Sequence, residues 1–392
     1  MAFRHELVKN LRRRKGNRGR SPVKGAISTF SLTEAVRNSS RGLLLVPAFL
    51  LACYRRLESQ CCARGWRQVY TPARTCVAVG GLSTDGRGRV LLTSWLLGWA
   101  AACGIRTAVT VPRGDATPPE LPYVVPPDGD PWEAGMEAAL LARYTQGGHI
   151  LMDTDPIRGA RTAVRRFDPD LLVLQDAVVE PRVRRNINLI ILTADDLGPS
   201  WNKPLPAGTW RTDASVLETA SAFLLFADRD ALPAVSVLAK RRLEHLGRPI
   251  FGMSFSIWRF RGPAGEPAPA DLGDMPYLTV LDEADREMVP DMLRRELGTS
   301  PRMAFFVHEH HRFTRQDFEH LRADAIRLKT AHIVTSPRLA LKLRCGGELL
   351  SGLSVWTYDP EVRFDPSLAS EMPFLSWWEA AYAAASGGQE LP

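Results

Sequence analysis

Short apolar runs alternate with helical patterns along most of the chain. Ten such runs, many rich in β-branched residues, predict strands at residues 76–79, 107–111, 149–152, 171–174, 187–192, 222–226, 250–255, 278–281, 303–307 and 332–335. Strands that are apolar throughout and are separated by helices are typical of a parallel sheet covered on both faces. The pattern therefore predicts an α/β fold with a mostly parallel sheet.

A stretch rich in proline, glycine and alanine interrupts this alternation at residues 259–271. Such composition favours a linker or a long surface loop. It divides the predicted fold into an amino-terminal lobe, residues 67–258, and a carboxy-terminal lobe, residues 272–375. Residues 376–392 resemble a short helix followed by a frayed tail.

Residues 41–56 form an apolar segment with arginines at both ends, within a helix predicted for residues 41–66. Its apolar core of about a dozen residues is shorter than the roughly 20 residues that cross a bilayer as a helix. Forty residues precede it, which is unlike a signal peptide. Two interpretations remain open: a helix lying in a membrane interface with its arginines on lipid phosphates, and a buried core helix.

Charge is concentrated at the start of the chain. The net charge is +7 over 392 residues, and the first 25 residues hold nine lysines and arginines against one acid, Glu6. Residues 1–40 are therefore predicted to be a disordered basic tail. The tail could contact nucleic acid or an anionic membrane surface, or it could be a solvated extension. Nucleic acid is disfavoured because aromatic residues are not interleaved with these charges.

The six cysteines contain no Cys-x-x-Cys pair. This spacing argues for reduced thiols in a cytosolic setting and against a zinc site.

Residues 79–90 read as a glycine-rich turn between a strand and a helix. Such a turn presents backbone N–H groups and the positive end of a helix dipole to an anion. A phosphate-binding loop usually ends in Gly-Lys-Ser/Thr, whereas this one ends in Gly88, Arg89 and Val90. Valine offers no oxygen to a metal, and a simple tight connection remains the alternative interpretation.

Two aspartates and a histidine cluster stand where catalytic groups are expected. Asp176 follows a predicted strand, where α/β proteins bind ligands, and Asp130 precedes a predicted helix. The alternative interpretation of each is a helix cap. Among residues 308–311, His310 or His311 could orient a phosphate or move a proton. A metal site is disfavoured there because adjacent side chains on an extended chain point apart.

The order of these motifs resembles the tetraacyldisaccharide 4'-kinase family, the lipid A 4'-kinases of Gram-negative bacteria, over residues 41–345. An arginine-flanked apolar helix comes first. The family's loop reads Val-Gly-Asn-Leu-Thr-x-Gly-Gly-Thr-Gly-Lys-Thr. The positions that fit it are Val79, Gly80, Leu82, Ser83, Gly86 and Gly88, and those that do not are Gly81, Asp85, Arg89 and Val90.

Later segments resemble family motifs in the same order. Residues 127–132 match a Gly-Asp-Glu-Pro segment that leads a helix, with Asp130 at the family's catalytic-base aspartate. Residues 171–180 match Asp-Asp-Gly-Leu-Gln-His, but Gln175 replaces one acid and only Asp176 is kept. Residues 205–211 closely resemble Leu-Pro-Ala-Gly-Pro-Leu-Arg. Residues 309–314 and 334–343 resemble Asp-His-His-x-Tyr/Phe-Thr and Val-Thr-Thr-Glu-Lys-Asp-Ala-Val-Lys-Leu, without the charges of the latter at positions 337–339.

The resemblance implies a P-loop NTPase-like fold and a peripheral enzyme at the cytoplasmic face of the inner membrane. Such an enzyme transfers the γ-phosphate of Mg-ATP to the 4'-hydroxyl of a lipid A precursor, a tetraacyl disaccharide 1-phosphate. The implied site has catalytic, cofactor-binding and substrate-binding residues. The implied catalytic residues are Asp130, Asp176, His310 and His311, and Asp176 is also the implied metal ligand. The implied cofactor-binding residues are Gly80, Ser83, Gly86, Gly88 and Arg89. The implied substrate-binding residue is Arg211. On sequence alone, Arg211 could instead pair with Asp213 or Glu218 at the surface.

The departures from the family's motifs all concern phosphate and magnesium binding. The loop lysine, the loop hydroxyl and one strand-end acid are replaced by Arg89, Val90 and Gln175. Phosphoryl transfer depends on positioning and on charge neutralisation, so these changes predict weak or lost Mg-ATP binding. A relative that binds lipid or a partner without turnover therefore remains an alternative. The sequence does not specify the acyl chains or the oligomeric state.

Overall fold

A computed structural model describes residues 41–84, 86, 88–144, 148–262, 265–308 and 311–387. The chain divides into two units, Met1–Leu45 and Val46–Pro392. The predicted basic tail, residues 1–40, lies outside the described residues. The sheet and the candidate site belong to the second unit.

Twelve strands are present among the described residues, and all ten predicted strands are confirmed. They are β1 (Thr75–Gly81), β2 (Thr107–Pro112), β3 (Tyr123–Val125), β4 (His149–Asp153), β5 (Leu171–Gln175), β6 (Ile187–Thr193), β7 (Ala222–Phe226), β8 (Ile250–Arg261), β9 (Tyr277–Asp282), β10 (Met303–Val307), β11 (His332–Thr335) and β12 (Ser354–Phe364). The sequence pattern missed β3 and β12. Both pair antiparallel with a neighbour, and neither follows the apolar strand-and-helix alternation.

The strands form one sheet in the order β10-β9-β11-β12-β8-β7-β6-β1-β5-β2-β4-β3. From β8 to β4 every neighbouring pair is parallel, as is every pair from β10 to β12. The pair β8–β12 is antiparallel and joins these two groups. The strands of the two groups therefore run in opposite directions.

Helices connect the strands and cover both faces of the sheet. They are α1 (Arg41–Ala63), α2 (Arg89–Ala102), α3 (Pro131–Ala134), α4 (Met136–Tyr144), α5 (Pro156–Phe167), α6 (Ala194–Leu197), α7 (Leu232–Leu243), α8 (Val289–Leu297), α9 (Arg315–Arg327), α10 (Pro337–Leu343) and α11 (Phe374–Ala385). The helices α2, α4 and α11 pack on one face of the amino-terminal group of strands, and α5 and α7 pack on the other. The helix α9 packs with β9 and β11 in a third core.

The first helix, α1, is longer than the apolar segment that predicted it. Its small residues Ala48 and Ala52 are buried, whereas Val46, Phe49 and Leu50 are each more than 60% exposed. One side of α1 thus packs on the protein, and a second, apolar side does not. Among the helices that the structure describes, none is long and apolar enough to cross a membrane.

The segment predicted as a linker begins inside a strand. Residues 259–261 complete β8, and Asp359 on β12 accepts from Arg259 Nε at 2.7 Å and from Arg261 Nη2 at 2.5 Å. The two predicted lobes are therefore joined by a two-stranded ribbon as well as by a loop. The helix expected at the carboxy terminus is confirmed as α11, and all six cysteines are free thiols.

Candidate functional site

The glycine-rich loop connects β1 to α2 as predicted. Gly86 and Gly88 have φ of 60° and 79°, in the left-handed region, so both turns favour glycine. Gly80 lies against the chain at Asp176, where an added Cβ would be 3.2 Å from the Asp176 Cα. Ser83 is buried in a β-bridge with Trp210. The loop therefore has a strand-to-helix shape that suits an anion at the start of α2.

Arg89, the residue at the position of the loop lysine, is buried and fully engaged. Its Nε donates to the Gly86 carbonyl at 3.0 Å, its Nη2 donates to Glu137 Oε1 at 3.0 Å, and its Nη1 lies 2.8 Å from Asp176 Oδ1. Burial alone lowers the pKa of a guanidinium, but Glu137 and Asp176 more than reverse this and raise the pKa of Arg89. Arg89 is therefore a fixed positive charge at the start of α2.

Asp176 pairs with a second arginine. It follows β5 with φ of 61°, and its backbone N–H donates to the Val79 carbonyl at 2.6 Å. Its Oδ1 forms ion pairs with both Arg89 and Arg211. The surface pairing considered for Arg211 is wrong, because Asp213 instead accepts from Arg56 Nε at 2.6 Å.

The segment that most resembles the family holds Arg211 beside the loop. The backbone N–H of Arg211 donates to the Leu82 carbonyl at 2.8 Å, and the backbone N–H of Thr84 donates to the Thr209 carbonyl at 3.2 Å. Trp210 is fully buried, and its Nε1 donates to Asp196 Oδ1 at 2.9 Å. The packing of the Trp210 side chain therefore helps to hold the backbone of Arg211 beside the loop.

Glu137 is a site residue that the sequence pattern did not indicate. It lies in the first turn of α4 and joins two of the residues that depart from the family: its Oε1 accepts from Arg89, and its Oε2 accepts from Gln175 Nε2 at 2.9 Å. A signal was present, because Gly135 and Glu137 open a nine-residue helix and keep two positions of the Gly-Asp-Glu-Pro motif. The motif match at residues 127–132 obscured it.

Asp130 is exposed and caps the short helix α3. Its Oδ1 accepts from Trp132 N–H at 2.8 Å, which confirms the helix-cap interpretation of its position. The guanidinium of Arg312, from the segment after β10, lies 4.8 Å from the centre of the Trp132 ring. Asp130 therefore lies close to the histidine-containing segment, and its catalytic role stays a prediction.

His311 is half-buried and precedes α9 by a few residues. Its Nε2 lies 3.3 Å from Asp317 Oδ2, and its carbonyl accepts from Lys342 Nζ at 3.0 Å. Burial alone would raise the pKa of Asp317, but hydrogen bonds from Thr314 and the nearby His311 lower it overall. His310 and Glu309 lie outside the described residues. The structure therefore ties His311 to a helix cap and shows no contact between it and Arg89.

The described side chains fit a phosphate better than a divalent metal. Both carboxylates at the loop, Asp176 and Glu137, are already held by guanidinium groups. Gln175 Oε1 is buried and lacks a hydrogen-bond partner among the described residues, but it is a neutral oxygen. No group of three or more His, Cys, Asp or Glu side chains in the described part of the chain could hold a metal ion. In this arrangement Asp176 pairs with two arginines, and its role as a magnesium ligand stays a prediction.

Comparisons with known proteins agree on one family. The family model described as tetraacyldisaccharide-1-P 4'-kinase matches residues 41–373. A tetraacyldisaccharide 4'-kinase of Nitratidesulfovibrio vulgaris is 29% identical over 341 residues, which cover 85% of this chain and 94% of that protein. A second, from Oleidesulfovibrio alaskensis, is 30% identical over 320 residues, covering 80% and 87%.

A solved structure has the same fold. The crystal structure of LpxK from Aquifex aeolicus, described as a complex with ATP, superposes with a TM-score of 0.66 at 18% identity. The match covers 89% of this chain and 99% of that one. The α/β fold expected from the sequence is therefore confirmed over nearly the whole of both proteins.

Proposed function

The chain belongs to the tetraacyldisaccharide 4'-kinase family. We propose that it transfers the γ-phosphoryl group of ATP to a lipid A precursor, and that the reaction takes place in a crevice beside Arg89. The acceptor is the 4'-hydroxyl of a tetraacyl disaccharide 1-phosphate. One observation carries the proposal: a buried, permanently charged guanidinium lies between a glycine-rich loop and the carboxyl end of β5. Ligands of open α/β sheets bind at such strand ends.

The loop and its two arginines would bind the nucleotide phosphates. Gly86 and Gly88 keep the backbone at the start of α2 open to an anion, and the helix dipole favours negative charge there. Arg89 and Arg211 would then exchange the Asp176 carboxylate for phosphate oxygens. Guanidinium groups suit this exchange because their planar fork binds carboxylates and phosphates alike.

Proton transfer would depend on Asp130 and on the histidine segment after β10. Asp130 can accept a proton from a sugar hydroxyl while its Oδ1 keeps the α3 cap. His310 or His311 would meet the transferring phosphoryl oxygens from the segment after β10. The Trp132–Arg312 contact supports this pairing because it brings the two segments together.

The exposed apolar side of α1 would hold the enzyme on its membrane. Val46, Phe49, Leu50, Tyr54 and Leu57 are all exposed and recur at helical spacing. A helix with such a side lies in the bilayer interface and attracts anionic lipid through nearby arginines. We therefore place the protein peripherally at the cytoplasmic face of the inner membrane, where the lipid A precursor would be bound.

A single-turnover assay tests the proposal. Labelled ATP and tetraacyl disaccharide 1-phosphate in mixed micelles should yield a lipid labelled at the 4' position. Arg89→Ala should lower the rate at least tenfold, because removing one charge-stabilising donor typically costs about 10²- to 10³-fold. Nucleotide binding without any label transfer would instead identify a relative that binds without turnover.

A further inference from the structure

Two of the three residues that depart from the family's motifs at the site contact the same side chain. Arg89 replaces the loop lysine, Gln175 replaces a strand-end acid, and Glu137 accepts a hydrogen bond from each, at 3.0 and 2.9 Å. Each Glu137 oxygen serves one partner. We propose that Glu137 is a positioning residue that holds Arg89 and Gln175 as a matched pair. This inference rests on the proposed function, because it concerns how Arg89 is presented to phosphate.

The geometry of Arg89 supports the pairing. Its guanidinium is held from three directions, by the Gly86 carbonyl, Glu137 and Asp176. A Cβ added to Gly86 would lie 1.8 Å from Arg89 Nη2, so the loop is shaped around this group. A planar fork can meet three fixed acceptors in one plane, whereas an ammonium acts as a point charge. Arg89 is therefore built into the loop.

The identity of residue 175 follows from Glu137. Gln175 is almost fully buried and donates its amide N–H to the carboxylate. An acid at this position would place a second carboxylate about 3 Å from Glu137, and two carboxylates in such contact cannot both stay ionised. A neutral donor is thus the compatible choice once Glu137 is engaged there.

The charges of the cluster also balance. Arg89 and Arg211 face Asp176 and Glu137, which gives two guanidinium groups against two carboxylates around a neutral amide. The family's motif would add one more acid at position 175, and that surplus negative charge suits a divalent cation. The two departures therefore act as one adaptation, which presents phosphate to guanidinium with a weaker requirement for magnesium.

Equilibrium binding of a fluorescent ATP analogue, measured with and without magnesium, tests the inference in the full chain. Without magnesium, Gln175→Asp should weaken binding at least tenfold, and adding Glu137→Gln should restore most of it. Arg89→Lys and Gln175→Asp together should bind at least about fivefold more tightly than the product of the single effects predicts, because residues in one network couple. The double variant should also gain magnesium dependence, which a merely structural change would not produce.

The control is Glu133→Gln, the same change at an exposed position on α3, which should leave binding and its magnesium dependence unaltered. The matched pair would be overturned if the effects of Arg89→Lys and Gln175→Asp on binding simply multiplied in the double variant. It would also be overturned if Glu137→Gln did not restore the binding lost in Gln175→Asp. A wild-type protein that binds no analogue would overturn it as well. Failure of the proposed function is distinguishable, since coupled binding without label transfer would leave the pair standing and remove only the catalysis.

Discussion

At the scale of single residues, one substitution can separate the observed role of Asp130 as a helix cap from its proposed role as a proton acceptor. Asparagine caps helices about as well as aspartate, so Asp130→Asn should keep the hydrogen bond to Trp132 and leave the unfolding midpoint unchanged. It cannot accept a proton, so single-turnover phosphoryl transfer should fall at least tenfold, given the usual ~10²- to 10⁴-fold contribution of a general base. Asp130→Ala should lose both the rate and some stability. A wild-type rate in Asp130→Asn would leave Asp130 as a helix cap alone.

Residue chemistry also shows how far sequence could describe the site. Arg89, Asp176 and the loop glycines could be predicted because strand, turn and helix follow one another in the chain. Glu137 was missed although Gly135 and Glu137 keep two positions of the family motif, and its hydrogen bond with Arg89 joins residues 48 positions apart. The partner of Arg211 was missed for a similar reason. Asp213 and Glu218 were considered because they are close to Arg211 in the chain, whereas the structure pairs Arg211 with Asp176, which is distant in the chain.

At the scale of elements, the capping box of α9 gives a test in acid. Thr314 and Asp317 bond reciprocally, and His311 Nε2 lies 3.3 Å from Asp317 Oδ2. Because the pKa of Asp317 is lowered in the fold, its contribution to stability is present above the ordinary aspartate pKa, about 4, and is lost as pH falls through the lowered value. Asp317→Asn should therefore unfold with a flatter dependence on pH below 4, as followed by circular dichroism.

Glu319→Gln is the matched control for that experiment, because it removes an exposed carboxylate of α9 outside the capping box. An acid unfolding curve for Asp317→Asn that coincides with the wild type would show that the box does not contribute.

The helix α1 gives a second test at this scale. Deleting residues 41–56 would also remove the buried Ala48 and Ala52 and the Arg56–Asp213 ion pair, so point changes are cleaner. Phe49→Glu with Leu50→Glu should lower partitioning onto anionic liposomes at least tenfold, since burying one large apolar side chain is worth about 1.5–3 kcal/mol. The unfolding midpoint should not change. Sedimentation with the liposomes is the measurement.

Val237→Glu provides the control, because Val237 is similarly exposed but lies on α7. Equal partitioning of the Phe49/Leu50 variant and the wild type would place the anchor elsewhere. The basic tail should add only a salt-sensitive increment.

At the scale of the whole molecule, the fold class and ten strands could be predicted because apolar strands alternate with helices. The antiparallel pair that joins the two groups of strands could not be predicted. Only three of the 11 residues of β12 are buried, so its sequence lacks the long apolar run that marked most of the other strands. The proline- and glycine-rich stretch was predicted to be a linker, but its first three residues pair in the sheet.

The ribbon of β8 and β12 has a consequence for motion. Between the register pairs Met253–Phe364 and Arg261–Thr357, two strands carry the connection over about eight residues, or roughly 26 Å at strand rise. Two-stranded ribbons are more strongly twisted than wider sheets. Here the side chains of Phe255, Ile257 and Tyr358 on the ribbon belong to the same hydrophobic core as Val77 and Tyr277. A change in the twist of the ribbon would therefore shift packed side chains of both groups of strands together, so the ribbon couples the two groups mechanically.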